Sequence, residues 1–507
     1  MNALRTHRLA SSVIALSTVL AAPAFADVSA ADIWANQQAL HSGMGITLDG
    51  ELNGDTVSGI TATAVLPMGI ANVQVSTDAE LTMSDNGDGT VTVTFPSPMT
   101  VTVSGQAQGE DPFSAELITT FDSYTVIASG DPNDVSYTSQ ASNLRMEPGE
   151  ITIGGQSLSV EGFDMNGFLN FSGWTSNSRV TVGNLITYTA ETSYETTNAD
   201  FGFDMDGVQV KNTQSTEPMD TSVTATLQVG GSDVLNLSAA MRDGLSLMAQ
   251  SSSGGSQSSN ETMMNGEVMN SQSTNVGPQT ATVAFGEGGL VFSGDAEGFN
   301  MSMNEPMLFP MGLTFAAEAL SMNFAIPLNA SDDAQGFRAA TSLQGFTMSD
   351  DIWSLFDPTA VLPRDPAEIS FDITGVGTNG IDLLDIAALS QLAGPPPIEV
   401  DQVSIDNLRI SAAGADVSAL GAMTFDWTDF QTIPGVPRPE GEVTLNINGA
   451  NALMDNLVAM GLLPEDQLMM PRMMMGMFAT PVGDDMLQSV IEVNSQGHIL
   501  ANGQRLQ

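Results

Sequence analysis

The sequence predicts a mainly β protein: extended antiparallel, twisted sheet(s) with a few covering helices in the C-terminal half. Apolar residues alternate with Thr, Ser and Asn in short runs such as 91–95 (VTVTF) and 443–447 (VTLNI). One-sided alternation of this kind is typical of antiparallel sheet with one dry and one wet face. Clusters of Asn, Asp, Gly and Pro separate the runs, as in β-meanders. Helical periodicity is confined to a few short segments.

The N-terminus predicts a signal peptide over residues 1–26. Arg5 and Arg8 precede an apolar run over 9–22, and Ala24-Phe25-Ala26 supplies an A-x-A cleavage site. The apolar run is too short to span a bilayer. We therefore expect cleavage after Ala26 and an exported protein, periplasmic or secreted, with no transmembrane segment in the mature chain.

The mature chain divides into three parts by composition. Residues 27–248 form a β-rich N-terminal half, and residues 281–507 form a β-rich C-terminal half with amphipathic helices. Residues 249–280 between them are rich in Ser, Gly and Asn, which predicts a loop or linker because such residues bury little apolar surface. Whether the two halves form one sheet or two domains stays open at this point.

Short helices are predicted near both ends of the mature chain. Residues 30–40 place Ile33, Trp34 and Leu40 at helical spacing. In the second half the segments 350–356, 380–392 and 451–460 are amphipathic or apolar, and each is followed by a Pro or Gly that ends the helix.

Composition excludes several kinds of function. Twelve Lys and Arg against 59 Asp and Glu give a net charge of −47, so the clustered cations that bind nucleic-acid phosphates are missing. The chain has no Cys and three His, which excludes thiolate nucleophiles and cysteine-ligated metals. Paired acids could serve a glycosidase, but 59 acids would supply such a pair by chance. We therefore predict no enzyme activity, no cofactor and no metal.

An Asn-Gly-Asp-Gly sequence lies between two alternating runs, at 86–89 within 84–90 (SDNGDGT). Such dipeptides predict a tight β-hairpin. A calcium loop is the alternative, but its twelfth position would hold Phe95 where a bidentate Glu is required.

Six methionines stand in nine positions near the C-terminus: Met469, Met470, Met473, Met474, Met475 and Met477. Met469, Met473 and Met477 would share one face of a helix, which predicts a stripe that packs on the sheet. Two alternatives remain. The same three residues could line an adaptable apolar groove, or the soft thioethers could bind Cu(I).

Arg364 lies between Pro363 and Asp365 and is one of few basic residues in the chain. We predict that it forms a structural ion pair with Asp365 or Asp357. The alternative is that it binds the headgroup of a ligand.

Three segments resemble a family of uncharacterised exported bacterial proteins, classed as a domain of unknown function. They are 352–358 (IWSLFDP), 362–367 (LPRDPA) and 497–506 (GHILANGQRL), and the resemblance extends over most of 27–507. It implies no catalytic residues, since no activity is established for the family. Residues 451–504 also resemble AsmA-like envelope proteins in their order of strand, two helices and a strand that ends in an Asn-Gly turn. That likeness implies a long twisted sheet with an apolar concave face and a link to outer-membrane lipid homeostasis.

These features together predict a non-enzymatic exported protein that binds apolar ligands or lipids in a groove of the sheet and serves cell-envelope maintenance. Its expected partners are a lipid or another apolar ligand, and envelope proteins. The alternative is a structural or interaction protein of the periplasm without a small ligand, whose sheet edges bind partners.

Overall fold

A computed structural model describes residues 27–65, 71–107, 109–157, 163–205, 207–307, 309, 311–394 and 397–506. The predicted signal peptide and its cleavage site after Ala26 lie outside the described residues. The fold is mainly β, as predicted. Its strands form one continuous sheet in which neighbouring strands run antiparallel.

The strands of the first third build the start of the sheet. They are β1 (Ile46–Asn53), β2 (Thr56–Val65), β3 (Ala71–Thr77), β4 (Leu81–Asp85), β5 (Val91–Thr94), β6 (Met99–Ala107), β7 (Phe113–Asp122), β8 (Thr125–Asp131), β9 (Asp134–Ile153) and β10 (Gln156–Ser157). β4 and β5 pair as a hairpin around the Asn-Gly-Asp-Gly sequence, which confirms the hairpin, although a five-residue connection, 86–90, replaces the predicted tight turn.

The middle of the sheet consists of ten strands. They are β11 (Phe163–Val182), β12 (Leu185–Tyr194), β13 (Thr196–Met205), β14 (Val208–Thr216), β15 (Met219–Gln228), β16 (Ser246–Ser253), β17 (Ser256–Met264), β18 (Glu267–Val276), β19 (Gln279–Gly286) and β20 (Gly289–Asn304).

Ten further strands complete the sheet. They are β21 (Leu313–Ile326), β22 (Ser331–Met348), β23 (Ala367–Asn379), β24 (Ile398–Ala412), β25 (Ala415–Asp426), β26 (Arg438–Asn448), β27 (Thr480–Gly483), β28 (Met486–Val493), β29 (Ile499–Ala501) and β30 (Gln504–Arg505). From β20 to β26, each strand pairs with the next one along the chain.

The helices of the described residues are short. They are α1 (Ala30–Gly43), α2 (Leu237–Arg242), α3 (Asp350–Phe356), α4 (Ile386–Ser390), α5 (Ala450–Ala459) and α6 (Met469–Phe478). Within the ranges described, none is long and apolar enough to cross a membrane. The predicted helix over 380–392 is reduced to α4, which begins where the Asp385 side chain accepts a hydrogen bond from the Ala388 N–H.

Residues 249–280 are not a loop or linker, which corrects the prediction from composition. They lie in β16 to β19, and both edges of this group are paired, to β14 and β15 on one side and to β20 on the other. Backbone pairing satisfies the N–H and C=O groups whatever the side chains are, so a Ser- and Asn-rich segment can hold central strands. One sheet therefore runs through both halves of the chain.

A line of strand interruptions crosses this middle region. β12 continues into β13, β14 into β15, β16 into β17 and β18 into β19, with only one or two residues between the two strands of each pass. Strands β12, β15, β16 and β19 pair in one row, and β13, β14, β17 and β18 pair in a second. Because β11 and β20 span both rows, the interruptions lie at one level, and such irregularities bend a sheet.

The long strands β20 and β22 hold glycines with positive φ. Gly298 in β20 has φ 72° and Gly345 in β22 has φ 64°, a region that side chains with a Cβ rarely adopt. A Cβ on Gly345 would also stand 2.4 Å from Cγ of Glu318 in the neighbouring strand. Both restrictions favour glycine at position 345, whereas only the backbone angle favours it at position 298.

Candidate apolar binding surface

One face of the sheet is uncharged and largely apolar through its middle and C-terminal part. The strand registers place on this face one or more large side chains from almost every strand. We call it the apolar face; its members include Val180, Ile186, Leu227, Leu247, Phe285, Leu290, Phe292, Met322, Phe324, Ile326, Phe337, Ile369, Phe371, Leu408, Ile410, Leu445 and Ile491. Away from hairpin ends and strand irregularities, no paired position of this face in β12–β26 holds a charged residue.

The apolar face is largely uncovered. Met322, Ile369 and Ile410 are 46%, 48% and 46% exposed. Among the described residues between 246 and 345, Ala317 is the one buried apolar side chain. A side chain in a single-layer sheet meets only its strand neighbours, so half-exposure follows when no second layer packs on top.

The opposite face carries the charges of the strands. Register places six basic residues there, and each is ion-paired with a carboxylate: Arg145 with Glu147, Arg179 with Asp134, Lys211 with Asp200, Arg338 with Asp372, Arg409 with Glu368 and Asp416, and Arg438 with Asp426. We call this the polar face. The strict separation of charge from apolar surface is the dry and wet arrangement that the alternation predicted.

Helix α1 closes the N-terminal end of the apolar face. Ile33 and Trp34 are buried in a cluster with Val180 and Ile186 of β11 and β12. Asn36 fixes the helix further, because its Nδ2 donates to the Val180 carbonyl and its Oδ1 accepts from the Tyr137 hydroxyl at 2.7 Å. Burial raises the pKa of Tyr137 to about 12, so the hydroxyl keeps its proton.

The connection from β15 to β16, which contains α2, meets the connection from β23 to β24 along one edge of the sheet. The strands β15 and β23 are six positions apart in the sheet. Arg242 in α2 forms a two-point ion pair with Asp382, both distances being 2.7 Å. The Leu237 N–H donates to the Leu384 carbonyl at 3.1 Å. No sequence pattern predicts this contact, because Arg242 and Asp382 are separated by 140 residues.

The methionine cluster forms α6, but its stripe does not pack on the sheet. Met469, Met473 and Met477 are 75%, 56% and 54% exposed, and Met470 and Met474 are exposed beside them. Met475 and Phe478 are the half-buried members, and the Phe478 carbonyl accepts from Ser489 Oγ of β28. The prediction of a packed stripe is therefore wrong, because other residues of the helix take the inward positions. The groove and Cu(I) alternatives stay predictions.

Arg364 forms an ion pair, but with a different acid from those predicted. Its Nη1 contacts Asp350 Oδ1 at the start of α3, and its Nη2 donates to the backbone carbonyl of Asp357 at 3.3 Å. The guanidinium also lies over the Trp353 ring, 5.5 Å from the centroid. Asp350 is 14 residues away in sequence, and the short helix α3 brings it close. The headgroup alternative has no support from this placement, since the guanidinium is held by α3.

Asp357 is the buried acid of this region. Its carboxylate accepts from the N–H groups of Val361 and Leu362, both at 2.9 Å, and the residue is fully buried. Burial opposes ionisation, but the two N–H donors and the charge of Arg364 outweigh it, so the pKa of Asp357 is lowered.

An Asp357→Asn variant is expected to melt at a lower temperature than the wild type at pH 7. A carboxyl whose pKa is lowered by folding stabilises the fold above its unfolded pKa, near 4, and this contribution is lost as the pH falls through the folded pKa. The difference in Tm should therefore shrink as the pH is lowered below about 4. Calorimetry from pH 7 to pH 3 measures it, and a difference that stays constant would contradict the assignment.

No group of three His, Asp or Glu side chains suited to a metal ion occurs within the described ranges. The described surface thus offers an apolar sheet face as its main candidate for binding. The second half of this face, from β18 to β28, coincides with a segment that is shared with other proteins. Residues 266–494 match a family described as an uncharacterized protein conserved in bacteria (DUF2125).

The DUF2125 match confirms the resemblance to an uncharacterised bacterial family over these residues. It contains the segments 352–358 and 362–367, whereas 497–506 lies beyond it. No curated protein matches the chain, and no solved structure does. The AsmA-like pattern stays a prediction.

The DUF2125 segment includes α3, Arg364 and Asp357, together with the strands that carry Met322, Ile369 and Ile410. The segment that matches the family therefore contains both the uncovered apolar face and the polar cluster of Arg364 and Asp357 beside α3. The N-terminal core around α1 lies outside it.

Proposed function

We propose that this protein binds the acyl chains of lipids on its apolar face, as a non-enzymatic, exported component of the cell envelope. The observation that supports the proposal is the row of half-exposed, uncharged side chains that continues in register from β12 to β26. Each methylene group that leaves water on such a surface contributes about 0.8 kcal/mol.

The length of the surface favours acyl chains over compact apolar molecules. Eleven strands from β12 to β26 pair side by side. With about 4.8 Å between strands, the row extends over roughly 48 Å. One leaflet of a bilayer core is about 15 Å thick, so the row is long enough for several acyl chains.

The charge distribution also favours lipid chains over a protein partner. A protein interface usually has a polar and charged rim, whereas the paired positions of the apolar face in β12–β26 carry no charge. The polar face keeps the chain in water while the apolar face holds the ligand. The predicted signal peptide supports an envelope location, where lipids are at hand.

The experiment is native mass spectrometry of residues 27–507, purified without harsh detergent from a host that exports the protein, followed by organic extraction. We expect lipid to co-purify at a defined stoichiometry. A mass without any adduct, together with an extract free of lipid, would contradict the proposal and favour the structural or interaction protein.

A further inference from the structure

The apolar face is interrupted in its middle by uncharged polar side chains. We call this area the polar patch; it consists of Asn212, Gln214, Thr216, Thr221, Ser251, Ser253, Ser256, Ser258, Asn260, Gln272, Thr274 and Gln279. Strand register places these residues on the same face as Phe201 and Val210 on one side and Val223 and Ala249 on the other.

Beside the polar patch the same face carries apolar side chains again. The row of β12, β15, β16 and β19 carries Leu227, Leu247 and Phe285 at its outer end. A molecule lying across β14–β19 would therefore meet polar side chains at one end and apolar side chains at the other. That is the surface an amphiphile requires.

The polar patch is open to solvent and rich in hydrogen-bonding groups. Asn212, Gln214, Ser258 and Asn260 are exposed, and they line a shallow depression of about 290 Å³ together with Phe201 and Gln272. Some of these groups bond within the protein, as Asn260 Nδ2 donates to Asn212 and Gln279 Nε2 donates to Ser256 Oγ. The exposed side chains of Gln214 and Ser258 can act as donors and as acceptors toward a ligand.

The patch contains no cation. The nearest strand-borne one, Lys211, belongs to the polar face and lies 3.5 Å from Asp200. A phosphate headgroup would find no charge partner here, and the net charge of −47 would repel it.

We infer that the polar patch binds the uncharged, hydroxyl-rich headgroup of a glycolipid, while the acyl chains lie on the neighbouring apolar side chains around Leu227, Leu247 and Phe285. A sugar supplies both donors and acceptors to the amides and hydroxyls of the patch, and the exposed ring of Phe201, 42% exposed, offers an apolar surface to the sugar. The inference rests on the proposed function, since it specifies the lipid class of the same surface.

The test is a competition in native mass spectrometry between glucosyl-diacylglycerol and phosphatidylglycerol with identical acyl chains. Wild-type protein is expected to prefer the glycolipid about tenfold, as a few net hydrogen bonds provide. Equal binding, or a preference for phosphatidylglycerol, would overturn the headgroup assignment alone. Binding of neither lipid would overturn the proposed function as well.

A pair of double variants locates the preference. Asn212→Leu with Asn260→Leu should abolish the preference for the glycolipid. The total lipid occupancy should be retained, because the apolar side chains that contact the acyl chains are unchanged. The matched control is Ser215→Val with Gln257→Leu, a register pair on the polar face of the same two strands that does not line the depression. The control should keep the wild-type preference, and a preference that survives in the first variant would place the headgroup elsewhere and overturn the inference.

Discussion

An Ile33→Ala variant is expected to lose about 3 kcal/mol of unfolding free energy, within the range that buried Ile-to-Ala exchanges show. Ile33 is 1% exposed and packs among Val57, Val135 and Ile186. This cluster is the largest buried core of the described residues, so a cavity there removes contacts that no other part of the sheet replaces. Urea denaturation followed by the fluorescence of the adjacent Trp34 measures the loss.

Ala35→Ser is the matched control for Ile33→Ala. Ala35 lies on the exposed side of the same helix, and its exchange should change stability by no more than about 0.5 kcal/mol. Equal losses for both variants would mean that α1 contributes only its helical propensity and that the cluster beneath it is not a core.

The alternation of apolar and polar residues was sufficient to predict the fold class and the dry and wet faces. In strands such as β25 and β26, Val417, Ala419, Val443 and Leu445 fall at every second position, and the structure puts them on one face. Alternation acts locally, so it could be recognised without knowledge of strand order.

The polar middle of the sheet could not be recognised in this way. In β16 and β17 the side chains of both faces are largely Ser, Asn and Gln, so no period of two appears in hydrophobicity. Their place in the sheet comes from backbone pairing to β14 and β15, which is non-local. Contacts between distant segments, such as Arg242 with Asp382, are hidden from sequence for the same reason.

The orientation of side chains on short helices could not be predicted from the sequence either. The spacing of Met469, Met473 and Met477 indicates a shared face but does not say which way that face points. The structure turns it to solvent. Arg364 shows the same limit, because its partner Asp350 becomes a neighbour only through α3.

Introducing charged residues on the apolar face should remove the lipid while the fold persists. In a Met322→Asp, Ile326→Asp double variant, lipid occupancy is expected to fall about tenfold or more, since transferring a carboxylate into hydrocarbon costs roughly 2.5 kcal/mol or more. Both side chains are 46% exposed, so the new carboxylates stay hydrated in the unliganded protein and the sheet is retained. Native mass spectrometry gives the occupancy, and circular dichroism checks the sheet.

The same strand supplies the control that separates a lost ligand from an altered net charge. Asn323→Asp with Ala325→Asp adds two charges to β21 on the polar face, where Ala325 is paired with Arg338. Lipid occupancy should equal that of the wild type, because acyl chains do not touch this face. Equal loss in both double variants would show that added charge alone displaces the lipid. Retention in both would show that the lipid lies away from β21, and either result would contradict binding on the apolar face at this strand.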